Sequence, residues 1–161
     1  MIKALVVVDV QVCMFFGDWP LPDAPDLLSR IGNRILRARS NGTEVIWVQN
    51  DGPADELDAP GMPYWQLALA PADGERVVRK KHQNVFESNP ELAAELRSRG
   101  ITELEFVGVQ SELCLLSSAQ AAKELGFRVH LERELHGTYA QEDETAAEIS
   151  DRVQLAVEKV S

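Results

Sequence analysis

The fold this sequence predicts is a three-layer α/β/α sandwich built on a mainly parallel sheet of five or six strands, and three observations lead to it. Short apolar runs with strand character alternate along the chain with amphipathic helical stretches, the rhythm of strand–helix–strand units. The first run, Ile2-Lys3-Ala4-Leu5-Val6-Val7-Val8, is apolar at consecutive positions beyond Lys3, as a strand covered by helices on both faces must be. The 161 residues, 45% of them hydrophobic, suffice for one sizeable core, so a single domain over 1–161 is expected.

The elements follow in order. A Pro-marked loop, Trp19-Pro20-Leu21-Pro22 and then Pro25, leads into a helix over 26–40 that carries Leu27, Leu28, Ile31, Ile35 and Leu36 along one face. Asn41-Gly42 stops it, and a second strand covers 44–48. Residues 51–72 are rich in Asp, Pro and Gly and too irregular for a long element; Met62, Tyr64 and Trp65 are bulky enough to cover a pocket, which favours a site-flanking loop over a linker. A third strand, Arg76-Val77-Val78-Arg79, is closed by Lys80. A helix near 90–99, a strand ending at Val109, a helix from the Cys114 region to about Leu125, a strand at 128–131 and a final helix over 141–157 complete the pattern. Right-handed crossovers turn this alternation into a Rossmann-like sheet.

Composition narrows the partners. A net charge of −10 disfavours a nucleic-acid backbone or an anionic membrane surface. No apolar run approaches a membrane span, no leader pattern precedes the first strand, and two cysteines are expected to be reduced thiols in a cytoplasmic protein. There is no internal repeat, low-complexity tract or Gly-rich phosphate loop.

Three residues carry chemistry. Cys114 follows the strand Leu104 to Val109 and the turn Gln110-Ser111-Glu112, and is read into the first turn of the next helix, where unpaired N–H groups favour a thiolate and can hold an oxyanion. Taken alone, it could equally be a packing thiol. Asp9 ends the first strand and Lys80 the third; the carboxyl ends of parallel strands face the ligand crevice. Alone, Asp9 could simply start a turn and Lys80 could be a surface lysine. Together an acid, a cation and a thiol are what nucleophilic catalysis by cysteine requires.

These residues resemble a known family. Asp9-Val10-Gln11 after the first strand, Lys80 ahead of Phe86, and Gly108-Val109-Gln110-Ser111-Glu112-Leu113-Cys114 are similar to the corresponding motifs of the isochorismatase-like cysteine hydrolases, relatives of nicotinamidase and N-carbamoylsarcosine amidase. The similarity runs from Ile2 to about Thr138 and takes in Val48-Gln49-Asn50-Asp51-Gly52 and Leu125-Gly126-Phe127. It implies an Asp9–Lys80–Cys114 triad, a non-proline cis peptide at Val109–Gln110, and an oxyanion site built on Val109, Gln110, Leu113 and Cys114. It implies hydrolysis of a small amide or related C–N substrate through a thioester, and an assembly of two or more copies. Gln11, Phe15 and Trp65 are expected to line the substrate pocket. The chain departs from the family at Cys13-Met14, where many members carry an acidic residue and a phenylalanine, and at Glu87-Ser88-Asn89-Pro90, which replaces a Gly-Thr step. Nicotinamidases of the family hold a divalent ion through an Asp-x-His element; here Asp51-Gly52-Pro53 stands there, and His82, His130 and His136 are scattered, so neither metal nor other cofactor is expected. The alternative is a catalytically silent binding or regulatory protein on the same fold; a flavodoxin-like domain is disfavoured by Asp9-Val10-Gln11-Val12-Cys13.

Overall fold

The structure is a computed structural model that describes residues 2–159. Five strands form one all-parallel sheet: β1 (Ile2–Val8), β2 (Glu44–Asn50), β3 (Arg76–Lys80), β4 (Ile101–Val109) and β5 (Arg128–Gly137), in the order β3-β2-β1-β4-β5. The helices are α1 (Val12–Phe15), α2 (Ala24–Ser40), α3 (Val85–Ser88), α4 (Leu92–Ser98), α5 (Leu116–Glu124) and α6 (Ala146–Lys159). The expected alternation and layering hold. The helix expected near 90–99 is α4, and a further short helix, α3, precedes it, separated from it by the Asn89-Pro90 step. A sixth strand, for which the chain end offers Glu158-Lys159-Val160, is not formed among the described residues: Glu158 and Lys159 lie in α6, and Val160 falls outside them.

Burial explains the strand composition. Along β1, Leu5 and Val7 point to the side of α2, packing with Leu27, Ile31, Ile35 and Trp47, while Ala4, Val6 and Val8 point to the opposite side with Phe86, Leu96, Phe106 and Val153. Both faces of the sheet are covered, which is why β1 is apolar on both sides from Ala4 to Val8.

The strand order locates the crevice. From β1 the chain adds β2 and β3 on one side, then crosses over to add β4 and β5 on the other, so the carboxyl ends of β1 and β4 flank the switch point where open α/β sheets bind ligands. The two strands approach closely there: Gly108 pairs with Val8 at φ 126, and a β-carbon on it would lie 2.1 Å from the Val8 carbonyl oxygen. Beyond Phe106 the β4–β5 register shifts, and β5 resumes with His136 opposite Gly108, extending well past the 128–131 segment legible in the sequence.

Candidate active site

Three strand ends deliver the three expected residues to the switch point. Asp9 follows β1 in the left-handed region at φ 52, a conformation that costs a non-glycine residue about 1 kcal/mol or more and that turns its carboxylate across the sheet. Lys80 ends β3, opposite Asn50 of β2. Its buried ammonium reaches back across the end of β2 to lie 3.1 Å from Asp9 Oδ2 and 3.1 Å from Cys114 Sγ. One cation thus bridges the acid and the thiol.

The local structure at Cys114 differs from expectation. Residues Ser111–Leu115 form a wide π-type turn ahead of α5, broken by Leu113 at φ −107, ψ −107, so Cys114 precedes the regular helix. The electrostatics change with it. Burial pushes the Cys114 thiol up to about 12; the neighbouring Asp9 adds to that and Lys80 opposes it. The expectation of a helix-stabilised thiolate is therefore corrected: the resting sulfur is a thiol. Burial likewise raises Asp9, with the Lys80 charge pulling the other way, and Asp9 Oδ1 is enclosed without a hydrogen-bond partner. For Lys80, burial favours the neutral amine, but the Asp9 charge and the hydrogen bonds to Asp9 and Cys114 outweigh it and leave the ammonium favoured.

The Val109–Gln110 peptide is cis. Among the four residues expected to build an oxyanion site, Leu113 is already engaged, its N–H donating to the Gln110 carbonyl at 3.1 Å. The N–H of Gln110 makes no hydrogen bond among the described residues.

The expected pocket residues divide. Gln11 is buried and acts as a staple: Nε2 donates to the carbonyls of Asn50 (3.1 Å) and Trp65 (2.8 Å), and Oε1 accepts from Asn50 N–H (2.9 Å). Phe15 packs into the core against α2, because the single turn of α1 rotates it inward. These two support the site from behind, which corrects their reading as pocket lining. Trp65 is half-buried on the 51–75 loop, its Nε1–H donating to Asp51 Oδ1 (2.9 Å) under the Arg79 guanidinium 5.0 Å from the ring centroid. Cys13 is half-buried, its thiol pushed up to about 11 by burial and by the charges of Asp58 and Asp9.

Two groups of residues escaped the sequence reading. Asn50 Oδ1 accepts from Lys80 Nζ at 2.9 Å while its Nδ2 donates to Asp58 Oδ2 at 3.0 Å, so an amide orients the bridging cation. Its position at the end of β2 was the available signal. The second is a buried chain. Gln154 Nε2 donates to the Leu131 carbonyl and to Glu158, both at 2.7 Å, which leaves its oxygen facing His136 at 3.0 Å. His136 Nε2 therefore carries the proton and Nδ1 accepts from Ser111 O–H at 2.7 Å; Ser111 Oγ in turn accepts from Ser150 at 3.0 Å. Burial drives His136 down to about 4, so it is neutral, as this chain requires. The turn carrying Cys114 is thereby tied to α6. Ser111→Ala leaves His136 Nδ1 buried without a donor and is expected to lower stability by about 1–3 kcal/mol, read from urea unfolding; an unchanged midpoint would contradict the deduced proton positions.

The side chains here do not suit a metal. Asp51 is occupied by Arg79 (2.9 Å) and Trp65, Asp58 by Asn50, His82 sits with Ser88, and His130 with Glu103. Among the described residues no three His, Cys, Asp or Glu side chains gather to hold an ion. A recess of about 890 Å³ opens away from the triad, between the ends of α5 and α6 and the start of β5, lined by Phe127, Val129 and Val157.

The sequence and the fold have counterparts. The chain matches the isochorismatase domain over residues 3–158. It is 40% identical over 158 residues to a streptothricin hydrolase of Streptomyces noursei, covering 97% of this chain and 56% of that protein. It is 29% identical over 152 residues to a ureidoacrylate amidohydrolase of Methylobacterium radiotolerans, covering 71% of this chain and 58% of that one. The chain thus spans little more than half the length of these relatives. Among solved structures, a putative isochorismatase from Burkholderia xenovorans LB400 superposes with a TM-score of 0.87 at 28% identity, over 96% of this chain and 78% of that one. The matched span takes in nearly the whole chain: the chain belongs to the isochorismatase domain family.

Proposed function

We propose that this chain is a cysteine-dependent hydrolase of small, non-peptide amides that works through a thioester on Cys114. The observation that carries the reading is the buried Lys80 ammonium held 3.1 Å from both the Asp9 carboxylate and the Cys114 sulfur at the switch point. The names of two relatives, one a streptothricin hydrolase and one a ureidoacrylate amidohydrolase, support amide C–N cleavage.

A resting thiol beside a carboxylate defines the sequence of steps. As Sγ attacks the amide carbon, Asp9 takes the thiol proton, and Lys80 stays charged, balancing first the carboxylate and then the developing negative charge. The N–H groups of Gln110 and Cys114 are assigned to the oxyanion. The C–N bond breaks as Asp9 returns the proton to the leaving nitrogen. A water molecule, deprotonated by Asp9, then attacks the thioester, the C–S bond breaks, and the thiolate recovers the proton, releasing the acid. The balance is amide plus water to carboxylic acid plus amine or ammonia.

The test is covalent trapping. A panel of small primary amides, ureido acids and lactams is screened for released ammonia or amine, and a turned-over compound is rapidly quenched in acid for peptide mass mapping. An acyl adduct on the Cys114 peptide is expected. Sustained turnover with no adduct there, under conditions that trap a model thioester, would sink the thioester route.

A further inference from the structure

The charges around the nucleophile do not balance. Asp9 and Lys80 form a buried pair. Asp51, just past the end of β2, is matched by Arg79. Asp58 is in no ion pair among the described residues: its carboxylate accepts from Asn50 Nδ2 at 3.0 Å, one amide away from the Lys80 ammonium that touches Cys114. Its placement is built. The backbone closes on it through Gly52 N–H donating to the Asp58 carbonyl at 2.9 Å, and a β-carbon on residue 52 would fall 1.8 Å from Asp58 Oδ1, so only glycine leaves room for that carboxylate. Asp58 is also close enough for its charge to disfavour ionisation of both Asp9 and Cys13. Asp9, Lys80 and Asp58 together leave an excess of one negative charge, and passing the thiol proton to Asp9 during attack moves charge onto sulfur without removing that excess. The excess stands until a positive charge enters.

We propose that Asp58 makes this site selective for cationic amides, those carrying a protonated amine or guanidinium near the scissile carbonyl, whose charge completes the balance that Asp9, Lys80 and Asp58 leave open. This rests on the hydrolase reading of the same site, and names the substrate class within it. The substrate cation binds to Asp58 and offsets the excess charge, so Asp58 acts on specificity while Asp9 and Lys80 act on the reacting atoms.

The experiment needs no turnover, so failure of the hydrolase reading, seen as absence of amide hydrolysis, remains separable from failure of this one. In a Cys13→Ser background, rate constants for modification of Cys114 are measured with 2-aminoethyl, methyl and 2-sulfonatoethyl methanethiosulfonate, which are cationic, neutral and anionic. Each is divided by its rate with 2-mercaptoethanol. The cationic reagent is expected to exceed the neutral one by about three- to tenfold, and the anionic reagent to fall below it. The preference should shrink towards unity in 0.5 M sodium chloride and in Asp58→Asn, which keeps the acceptor for Asn50 and removes the charge. Equal corrected rates for the three reagents would overturn the proposal, as would a cationic preference that Asp58→Asn leaves unchanged. The salt series on the unsubstituted residue 58 decides the matter should the variant fold poorly.

Discussion

Cys114→Ala and Asp9→Asn are each expected to reduce turnover of a responsive amide by at least about a thousandfold, to the same floor, and the double variant should lose no more than either alone. The reason lies in the resting thiol. With Cys114 pushed up to about 12, almost no thiolate exists near neutrality, and attack requires the proton to leave for Asp9 as the C–S bond forms. Removing acceptor or sulfur breaks the same step. Burial raises Asp9, so the acid limb of kcat/KM should fall above the ordinary carboxylate value of about 3.9, with activity lost as pH drops through it. Steady-state kinetics of the three variants, with a pH series on the unsubstituted protein, make the check. An Asp9→Asn enzyme within tenfold of normal would remove Asp9 from the mechanism. A catalytically silent binding protein would show no turnover for these variants to lose.

Lys80→Met should cost about 3–5 kcal/mol of stability at pH 7, among the largest effects available in this chain. The Lys80 side chain is 0% exposed and the Asp9 side chain 5%, so the substitution strands a carboxylate in the interior with its cation gone. The pH dependence separates this from simple loss of packing. Without the cation, Asp9 holds its proton more tightly, so the deficit should shrink as pH falls through the Asp9 titration, where the neutral acid needs no partner. In the unsubstituted protein the folded Lys80 pKa lies above 10.5, so its contribution is complete below that value and is lost as pH rises through the higher folded one. Urea midpoints between pH 5 and 11 for both proteins give the answer; a deficit independent of pH would show that Lys80 acts only as buried hydrocarbon.

Much of the site was legible because its residues sit at strand ends. A run such as Ala4 to Val8 can only be a strand buried on both faces, and the first polar residue after it, Asp9, has to emerge at the carboxyl edge of the sheet. The same logic reached Lys80 and Cys114. It failed where the backbone leaves its regular period. Phe15 was read as facing a pocket, but one turn of α1 carries it into the core, and Gln11 bonds the backbone of the 51–75 loop instead of a ligand.

The sequence by itself determined the element alternation, the doubly covered sheet and the acid, cation and thiol at three strand ends, since these follow from apolar period and from residue type. Tertiary structure alone decided that Lys80 crosses the end of β2 to touch both partners, that Asn50 orients it against Asp58, and that Ser111, His136, Ser150 and Gln154 join the turn carrying Cys114 to α6. It also decided that the Cys114 sulfur rests as a thiol, because ionisation depends on burial and on charges brought together from distant parts of the chain, which no local pattern records.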